Sequence, residues 1–336
     1  MTPTFDQLSG SPLNQRPSEQ GVSVVLPVLN EEFYLAQSIE AIISQDFLGP
    51  IEIILALGPS NDQTNSVAQA LATKDSRIIL VENPSGRTAV GLNLAIKQSR
   101  FPIILRVDGH AQIPNNYISM AVSLLNETGA VNVGGIMAAQ GATPFERGVA
   151  RAMRSPLGVG AASFHTGGSA GATDTVYLGC FVKSALLKVG GFDESFTRAQ
   201  DWELNFRLRE AGGLIYFDPR LEVTYRPRPT LRALAKQYFE YGRWRHAVMR
   251  RHRGTVNLRY LAPPLSLLGT LLSLITGISI SSIFLIPAGI YGAFLVVSSL
   301  MIGRTFFERL RLPAILFTMH MSWGAGFLTS PKTLAR

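Results

Sequence analysis

From Leu261 to Gly303 the chain contains no Asp, Glu, Lys or Arg. A run of this kind is long enough for two membrane crossings of about twenty residues each. A break near Ile286-Pro287 divides it into roughly 263–284 and 287–303. Arg304, Arg309 and Arg311 follow at once, and a cluster from Arg243 to Arg259 precedes it. Positive charge at both ends puts the preceding residues in the cytosol, because cytoplasmic flanks carry the excess of Lys and Arg. Leu312 to Leu328 is a further apolar run, read as a short third span. Its His320 is a functional hint inside a membrane and an ordinary solvated residue at an interface.

The 336 residues carry 31 Lys and Arg against 23 Asp and Glu, a net charge of +8. A basic excess serves nucleic acid, anionic lipid or anionic substrates. Here the charge is concentrated beside apolar runs, which argues against nucleic acid. The single cysteine, Cys180, excludes an intramolecular disulfide and argues against a Cys-based zinc site. The first twenty residues are polar, rich in Ser, Pro and Gln, and read as a disordered lead-in without a secretory signal.

Between residues 22 and 110 strand, turn and helix patterns alternate. Apolar runs at Val22–Leu26, Ile51–Leu57, Arg77–Val81 and Ile103–Val107 read as strands. Leu35, Ile39 and Ile42 recur at helical spacing after the first, with Asn30 placed to cap that helix. Helices carrying Val67 and Leu71, then Leu92, Ala95 and Ile96, follow the next two. Such alternation predicts a parallel sheet covered by helices. Ligands in open α/β sheets bind beyond the carboxyl ends of the strands. There the sequence places Asn30-Glu31, then Ser60 to Asp62, then Gly86-Arg87, and finally Asp108-Gly109-His110. A carboxylate and an imidazole from one turn suit Mn²⁺, and the carboxylate alone suits Mg²⁺. Arg87 would add a charge-assisted contact to phosphate. No dinucleotide fingerprint and no P-loop lysine is present, so a nucleotide would be held with a metal bridging its phosphates.

Further on, Asn115–Asn126 reads as a helix, and Val131–Met137 and Thr175–Phe181 read as strands. Residues 154–175, rich in Gly, Ala and Ser, read as a mobile loop over the site or as a connector. Gln200-Asp201-Trp202-Glu203 opens a helix whose inward face is Leu204, Leu208 and Ala211. Asp201 falls in its first turn, where the helix dipole favours a charged carboxylate able to act as a base. Trp202 either stacks on an acceptor sugar or packs in the core, the latter being favoured. Thr230 caps a long basic helix with Leu231, Leu234, Tyr238, Tyr241 and Arg245 along one stripe. Lys, Arg and aromatic residues on such a helix suit an anionic membrane surface.

The segments Pro27-Val28-Leu29-Asn30-Glu31, Ser60-Asn61-Asp62-Gln63-Thr64 and Asp108-Gly109-His110 together resemble the family 2 inverting glycosyltransferases of GT-A fold. Within that family the chain is most similar to bacterial succinoglycan-type glucosyltransferases. The resemblance covers roughly residues 21–255. It implies a mixed, mainly parallel α/β sheet with flanking helices, followed by C-terminal transmembrane helices. The implied division is a lead-in over 1–20, a catalytic domain over 21–229, a basic interfacial helix over 230–260 and a membrane region with two to three spans over 261–330. It implies that Pro27, Val28, Asn30, Glu31, Gly58, Asp62, Arg87 and Asp108 bind a nucleotide-diphosphate sugar. Asp108 and His110 would hold Mn²⁺ or Mg²⁺, and Asp201 would deprotonate the acceptor. Trp202, Glu203, Tyr241, Arg243, Trp244 and Arg245 would meet the acceptor or a lipid phosphate. The implied activity is hexosyl transfer to a lipid-linked saccharide in cell-envelope or exopolysaccharide synthesis, by a multi-pass membrane protein. Alternatives are a polyprenyl-phosphate glycosyl synthase and a non-catalytic, membrane-tethered nucleotide-binding scaffold. Two departures stand out. Leu57-Gly58 replaces an acidic pair at the end of the second strand, and His110 replaces the second Asp of an Asp-x-Asp motif. The Gln spacing before Arg243-Trp244 does not support processivity.

Overall fold

The computed structural model describes residues 20–252, 255 and 257–335. Nearly all of the expected lead-in, and Arg253 of the basic cluster, lie outside the described residues. The chain forms two compact units. One holds the described residues up to Ile136 with Ser169–Glu194 and Leu204–Val223; the other holds Met137–Gly168, Ser195–Glu203 and the chain from Thr224 onward.

The strands are β1 (Val22–Val28), β2 (Ile51–Leu57), β3 (Ile78–Glu82), β4 (Ile103–Arg106), β5 (Asn132–Ala139), β6 (Gly171–Ala172), β7 (Tyr177–Val182) and β8 (Ile215–Tyr225). They form one mixed sheet in the order β3-β2-β1-β4-β7-β5-β8-β6. The β3-β2-β1-β4 portion is parallel, and β7 runs antiparallel to β4 and β5. Interleaved with the early strands are α1 (Leu35–Ile43), α2 (Thr64–Lys74), α3 (Thr88–Gln98) and α4 (Tyr117–Thr128).

Strand periodicity divides the core into two layers. Val22, Val24, Leu26 and Val28 of β1 pack with Leu35, Ile39 and Ile42 of α1 and with Tyr117, Ala121 and Leu125 of α4. Val25, Ile54, Ala56 and Ile104 face the other way, onto Leu92, Ala95 and Ile96 of α3. Polar atoms within this sheet are paired. Glu52 of β2 is buried yet accepts from the Ser23 hydroxyl (2.6 Å), the Arg100 backbone N–H (2.6 Å) and the Arg100 Nε (2.7 Å). Burial pushes its pKa up, but these hydrogen bonds outweigh burial and hold the carboxyl below its ordinary value.

Several details differ from the sequence expectation. Asn30 does not cap α1: that helix begins at Leu35 behind Tyr34, and Asn30 adopts φ 56° to turn the chain sharply after β1. Ala211 lies exposed past the end of α9 (Gln200–Glu210), leaving Leu204 and Leu208 as its buried aliphatic residues. Residues 154–175 hold two short helices, α6 (Pro156–Val159) and α7 (Ser163–Thr166), and strand β6. Two further helices had no counterpart in the pattern reading, α5 (Pro144–Met153) and α8 (Lys183–Lys188). Strand β8 had none either.

The second unit is mostly helical. Helix α5 opens with a capping box: Thr143 accepts from the Glu146 N–H, and Glu146 accepts from the Thr143 N–H. Helix α10 (Leu231–Arg251) is capped by Thr230, as expected. Two apolar helices follow, α11 (Ala262–Ser279) and α12 (Ile286–Ile302). The first ends earlier than expected. Ser281 is extended and a single 3₁₀ turn intervenes, while Pro287 sits in the first turn of α12, where its missing N–H costs nothing. Helix α11, and α12 together with the 3₁₀ turn before it (Ser282–Ile302), are long and apolar enough to cross a membrane. Their apolar residues stand exposed, Ile278 at 82% and Ile290 at 65%. In water each would cost about 25 cal/mol per Å² of apolar surface, a cost that a bilayer removes. The run Leu312–Leu328 belongs to α13 (Phe306–Leu328), and its Leu312, Ile315, Leu316 and Met319 are buried. Helices α13 and α10 cross at backbone contact. A Cβ at Gly242 would fall 2.0 Å from the Trp323 carbonyl, and one at Gly326 would meet the Phe239 carbonyl just as closely.

Candidate active site

The first unit gathers its candidate residues at the carboxyl edge of β1, β2 and β4. Parallel pairing sets Pro27 beside Ala56 and Val28 beside Leu57, so the two strands end together. The Val28 side chain lies in the core, which leaves its backbone at the edge, and its carbonyl accepts from the Gly58 N–H at 2.8 Å. Beyond it the two loops are laced to each other. The Asn30 N–H donates to the Ser60 hydroxyl (3.0 Å), and the Asn61 N–H donates to the Asn30 amide oxygen (2.9 Å). The Glu31 N–H donates to Thr64 Oγ1 at 2.7 Å. Asp62 accepts from the Thr64 hydroxyl and N–H and, at 3.4 Å, from the Glu32 N–H. The Thr64 hydroxyl is the main reason that its carboxyl is held below the usual range. Asn30 and Asp62 thus use these polar atoms to shape the loops.

The turn after β4 is held from several directions. Arg106, buried on the strand, donates to Asp108 Oδ1 at 2.9 Å. The buried Ser38 hydroxyl of α1 lies 2.9 Å from the Gly109 carbonyl and 2.8 Å from that of Ala111. Glu31 reaches across Gly109, where a Cβ would come within 3.0 Å of its side chain, and meets His110 Nδ1 at 2.7 Å. A carboxylate on one ring nitrogen is the arrangement that orients a metal-ligating imidazole. Among the described residues no trio of His, Cys, Asp or Glu is gathered to hold a metal. The pair Asp108 and His110 fits a cation that takes few protein ligands and shares the rest with substrate phosphates. Arg87, exposed at the start of α3, donates to the Glu194 carbonyl. Gly58 is closely surrounded: a Cβ there would sit 3.0 Å from Leu29 Cδ1 and 3.2 Å from the Gly86 Cα.

The second unit carries the start of α9. Ala199 precedes it with φ 59°, a conformation that costs a non-glycine residue about 1 kcal/mol or more. Asp201 lies in the first turn, half-exposed. Its neighbours are fixed. The Arg245 guanidinium lies 4.4 Å from the centroid of the Trp202 ring and 4.4 Å from that of Tyr260, between two aromatic faces. Glu203, buried, meets His252 Nε2 at 2.9 Å. Trp202 is thus a core residue, as favoured, with a cation on its face. The remaining residues expected near the acceptor diverge. Trp244 is buried against Phe196, Tyr241 accepts from Gln237 at 3.0 Å, and Arg243 pairs with Glu240 at 2.9 Å. Burial raises the Tyr241 pKa. Ser38, Tyr260 and His252 carry no signal in the sequence pattern, because each acts through a partner distant in sequence.

Residues 23–178 match the family described as Glycosyl transferase family 2. The succinoglycan biosynthesis protein ExoA of Rhizobium meliloti (strain 1021) is 31% identical over 321 residues, covering 90% of this chain and 93% of its own. A dolichyl N-acetyl-alpha-D-glucosaminyl phosphate 3-beta-D-2,3-diacetamido-2,3-dideoxy-beta-D-glucuronosyltransferase of Methanococcus voltae is 25% identical, covering 91% of this chain and 95% of its own. Among solved structures, a mannosyltransferase from Pyrobaculum calidifontis in complex with GDP-Man and Mn²⁺ shares the fold. Its TM-score is 0.60 at 19% identity, covering 96% of this chain and 91% of that one.

Proposed function

The chain belongs to glycosyltransferase family 2, and from that premise we propose that it moves a hexose from a nucleotide-diphosphate sugar to a lipid-linked saccharide during cell-envelope or exopolysaccharide assembly. That it is a membrane-associated glycosyltransferase is established by the family and the two exposed apolar helices. The finer reading rests on one observation: the Asp108–His110 turn at the carboxyl edge of the parallel strands, braced by Arg106, Ser38 and Glu31. Support for the acceptor class comes from a relative named for succinoglycan biosynthesis that aligns through the membrane region.

In this reading the laced loops after β1 and β2 present backbone and side-chain groups to the nucleotide, and Arg87 approaches the diphosphate. Asp108 and His110 would hold Mn²⁺ or Mg²⁺, and a cation there would neutralise charge on the departing diphosphate; Mn²⁺ accompanies GDP-Man in the mannosyltransferase of like fold. Asp201 accepts the proton of the acceptor hydroxyl as its oxygen bonds to the anomeric carbon and the bond to the diphosphate breaks. One displacement inverts the configuration, and no covalent nucleophile is needed. The buried neighbours of Asp201 keep that carboxylate in place. The Arg residues flanking the spans keep this domain in the cytosol of a multi-pass protein.

The test is nucleotide release by the full chain in detergent, with UDP- and GDP-sugars, Mn²⁺ or Mg²⁺, and lipid-linked saccharide. Asp201→Asn is expected to lower transfer by about 10³-fold or more with nucleotide affinity unchanged. Loss of nucleotide affinity in that variant removes Asp201 from the role of base. Transfer to bare polyprenyl phosphate in place of the saccharide overturns the acceptor assignment.

A further inference from the structure

Within the second unit a cavity of about 670 Å³ opens beside the C-terminal end of α12. That is the size of pockets that take small ligands, roughly 300–1,000 Å³. Its polar lining is Arg151, Arg154 and Arg304, with Ser155 and Thr166, whose hydroxyls meet the Leu157 N–H and the Ala162 carbonyl. Met301 and Ile302, the last residues of a helix exposed along its apolar face, form another part of the lining. Among the described residues the guanidinium groups of Arg154 and Arg304 have no hydrogen-bonding or ion-pair partner. Arg151 lies 3.9 Å from the Glu308 carboxylate, whose Oε2 already accepts from the backbone N–H groups of Arg304 and Thr305. The lining therefore carries three guanidinium groups, one offset by Glu308, for a net charge near +2.

We propose that this cavity holds the diphosphate of a lipid-linked acceptor, with the lipid tail lying along α12. The proposal rests on the glycosyl-transfer reading above and supplies its acceptor site. Charge selects the occupant. A phosphodiester lipid headgroup brings one negative charge, whereas a diphosphate diester brings two and offers more oxygens to guanidinium forks. Position selects the anchor, because Arg304 follows directly on the end of a span and Met301 is 72% exposed beside it. The site also lies apart in sequence from Trp202, Glu203, Tyr241, Arg243, Trp244 and Arg245, the residues expected to meet the acceptor or a lipid phosphate. There Arg243 is paired with Glu240 and Arg245 is stacked between two rings.

The test uses the full chain in a non-ionic detergent with farnesyl diphosphate as probe, and Arg154→Gln/Arg304→Gln as the variant. Both side chains are exposed, so the fold is not at risk, and Arg154→Lys/Arg304→Lys retains the charge. The probe is expected to bind at least about tenfold more tightly than inorganic pyrophosphate. The Gln pair should weaken it about tenfold or more, the Lys pair less, with UDP and GDP affinity unchanged. Equal binding of pyrophosphate, displacement by phosphatidylglycerol at equal mole fraction, or indifference to the Gln pair overturns the assignment. The two readings fail separately. Arginine-dependent probe binding without turnover of any nucleotide sugar upholds the site and sinks the transfer reading. Turnover with unchanged acceptor KM in the Gln pair does the reverse.

Discussion

The turn after β4 and the start of α9 both present a half-buried aspartate, and they are secured in different ways. Asp108 sits in a turn fixed by ionic and hydrogen-bonding partners from neighbouring strand ends: Arg106 on its own strand, Ser38 and Glu31 from the segment after β1. Asp201 is secured through its neighbours, by a cation held between rings and by the Glu203–His252 pair, both supplied from α10 and the residues just after it. The first arrangement suits a group that must meet a charged ligand in one orientation. The second suits a group that must keep its position while it takes up a proton. A polar clamp fixes direction, and an aromatic and ionic clamp on the two following residues fixes position.

The largest effect that tests this contrast is Asp108→Ala. It should remove the metal dependence of nucleotide binding and lower transfer by about 10²–10³-fold, measured by nucleotide affinity with and without Mn²⁺. Metal dependence that survives takes Asp108 out of the cation site and dissolves the contrast with Asp201. Next is Arg245→Gln, which empties the space between Trp202 and Tyr260. Small displacements of catalytic groups are costly, so kcat should fall by about 10–100-fold with donor affinity unchanged. A change confined to donor affinity would make the stacked arginine part of nucleotide binding instead. The smallest effect concerns Glu52, a carboxylate with no expected part in transfer. Glu52→Gln should cost about 1–3 kcal/mol of stability and leave kcat alone. Because the folded-state pKa of Glu52 is lowered, its contribution is present above the unfolded pKa and lost as pH falls through the folded one. The gap in Tm between the two proteins should therefore be widest near neutrality and narrow in acid. A constant gap would mean that packing, and not charge, accounts for it.

Much of the parallel half was legible because short apolar runs, buried on both faces, are followed by residues that recur at the helical period. Val22 to Val28 and Leu35, Ile39 and Ile42 are of that kind. Strand β8 was hidden for a physical reason. Ile215 and Phe217 face one core layer, whereas Leu221 and Val223 face the other. Between them Asp218 is buried and bound by Arg220, and Pro219 has no N–H to donate. The alternation slips by one residue there, and a period-two search loses the strand. Helix α5 was legible in principle from Thr143, Pro144 and Glu146, and with it the spacing of Arg151 and Arg154. The apolar runs were legible as apolar, but hydropathy does not say what covers them. Ile290 of α12 meets the outside of the protein, while Leu316 of α13 meets its inside. The candidate site was legible where a single turn carries it, as at Asp108 and His110. It was opaque where a side chain is placed by a partner far along the chain, as Arg245 is.

The crossing of α10 and α13 at Gly242 and Gly326 bears on how the enzyme can be handled. His246 stacks on Phe327 and Arg250 reaches the Ser330 hydroxyl and the Pro331 carbonyl, so the polypeptide comes back after its two lipid-facing helices to finish the helical half. Shortening the gene before residue 262 to obtain a water-soluble form would discard this returning strut with the anchor. The flank of α10 that α13 covers, with Phe239, Gly242 and His246 on it, would then need a substitute surface, which makes surfactant or lipid discs around the whole polypeptide the practical route to an active preparation.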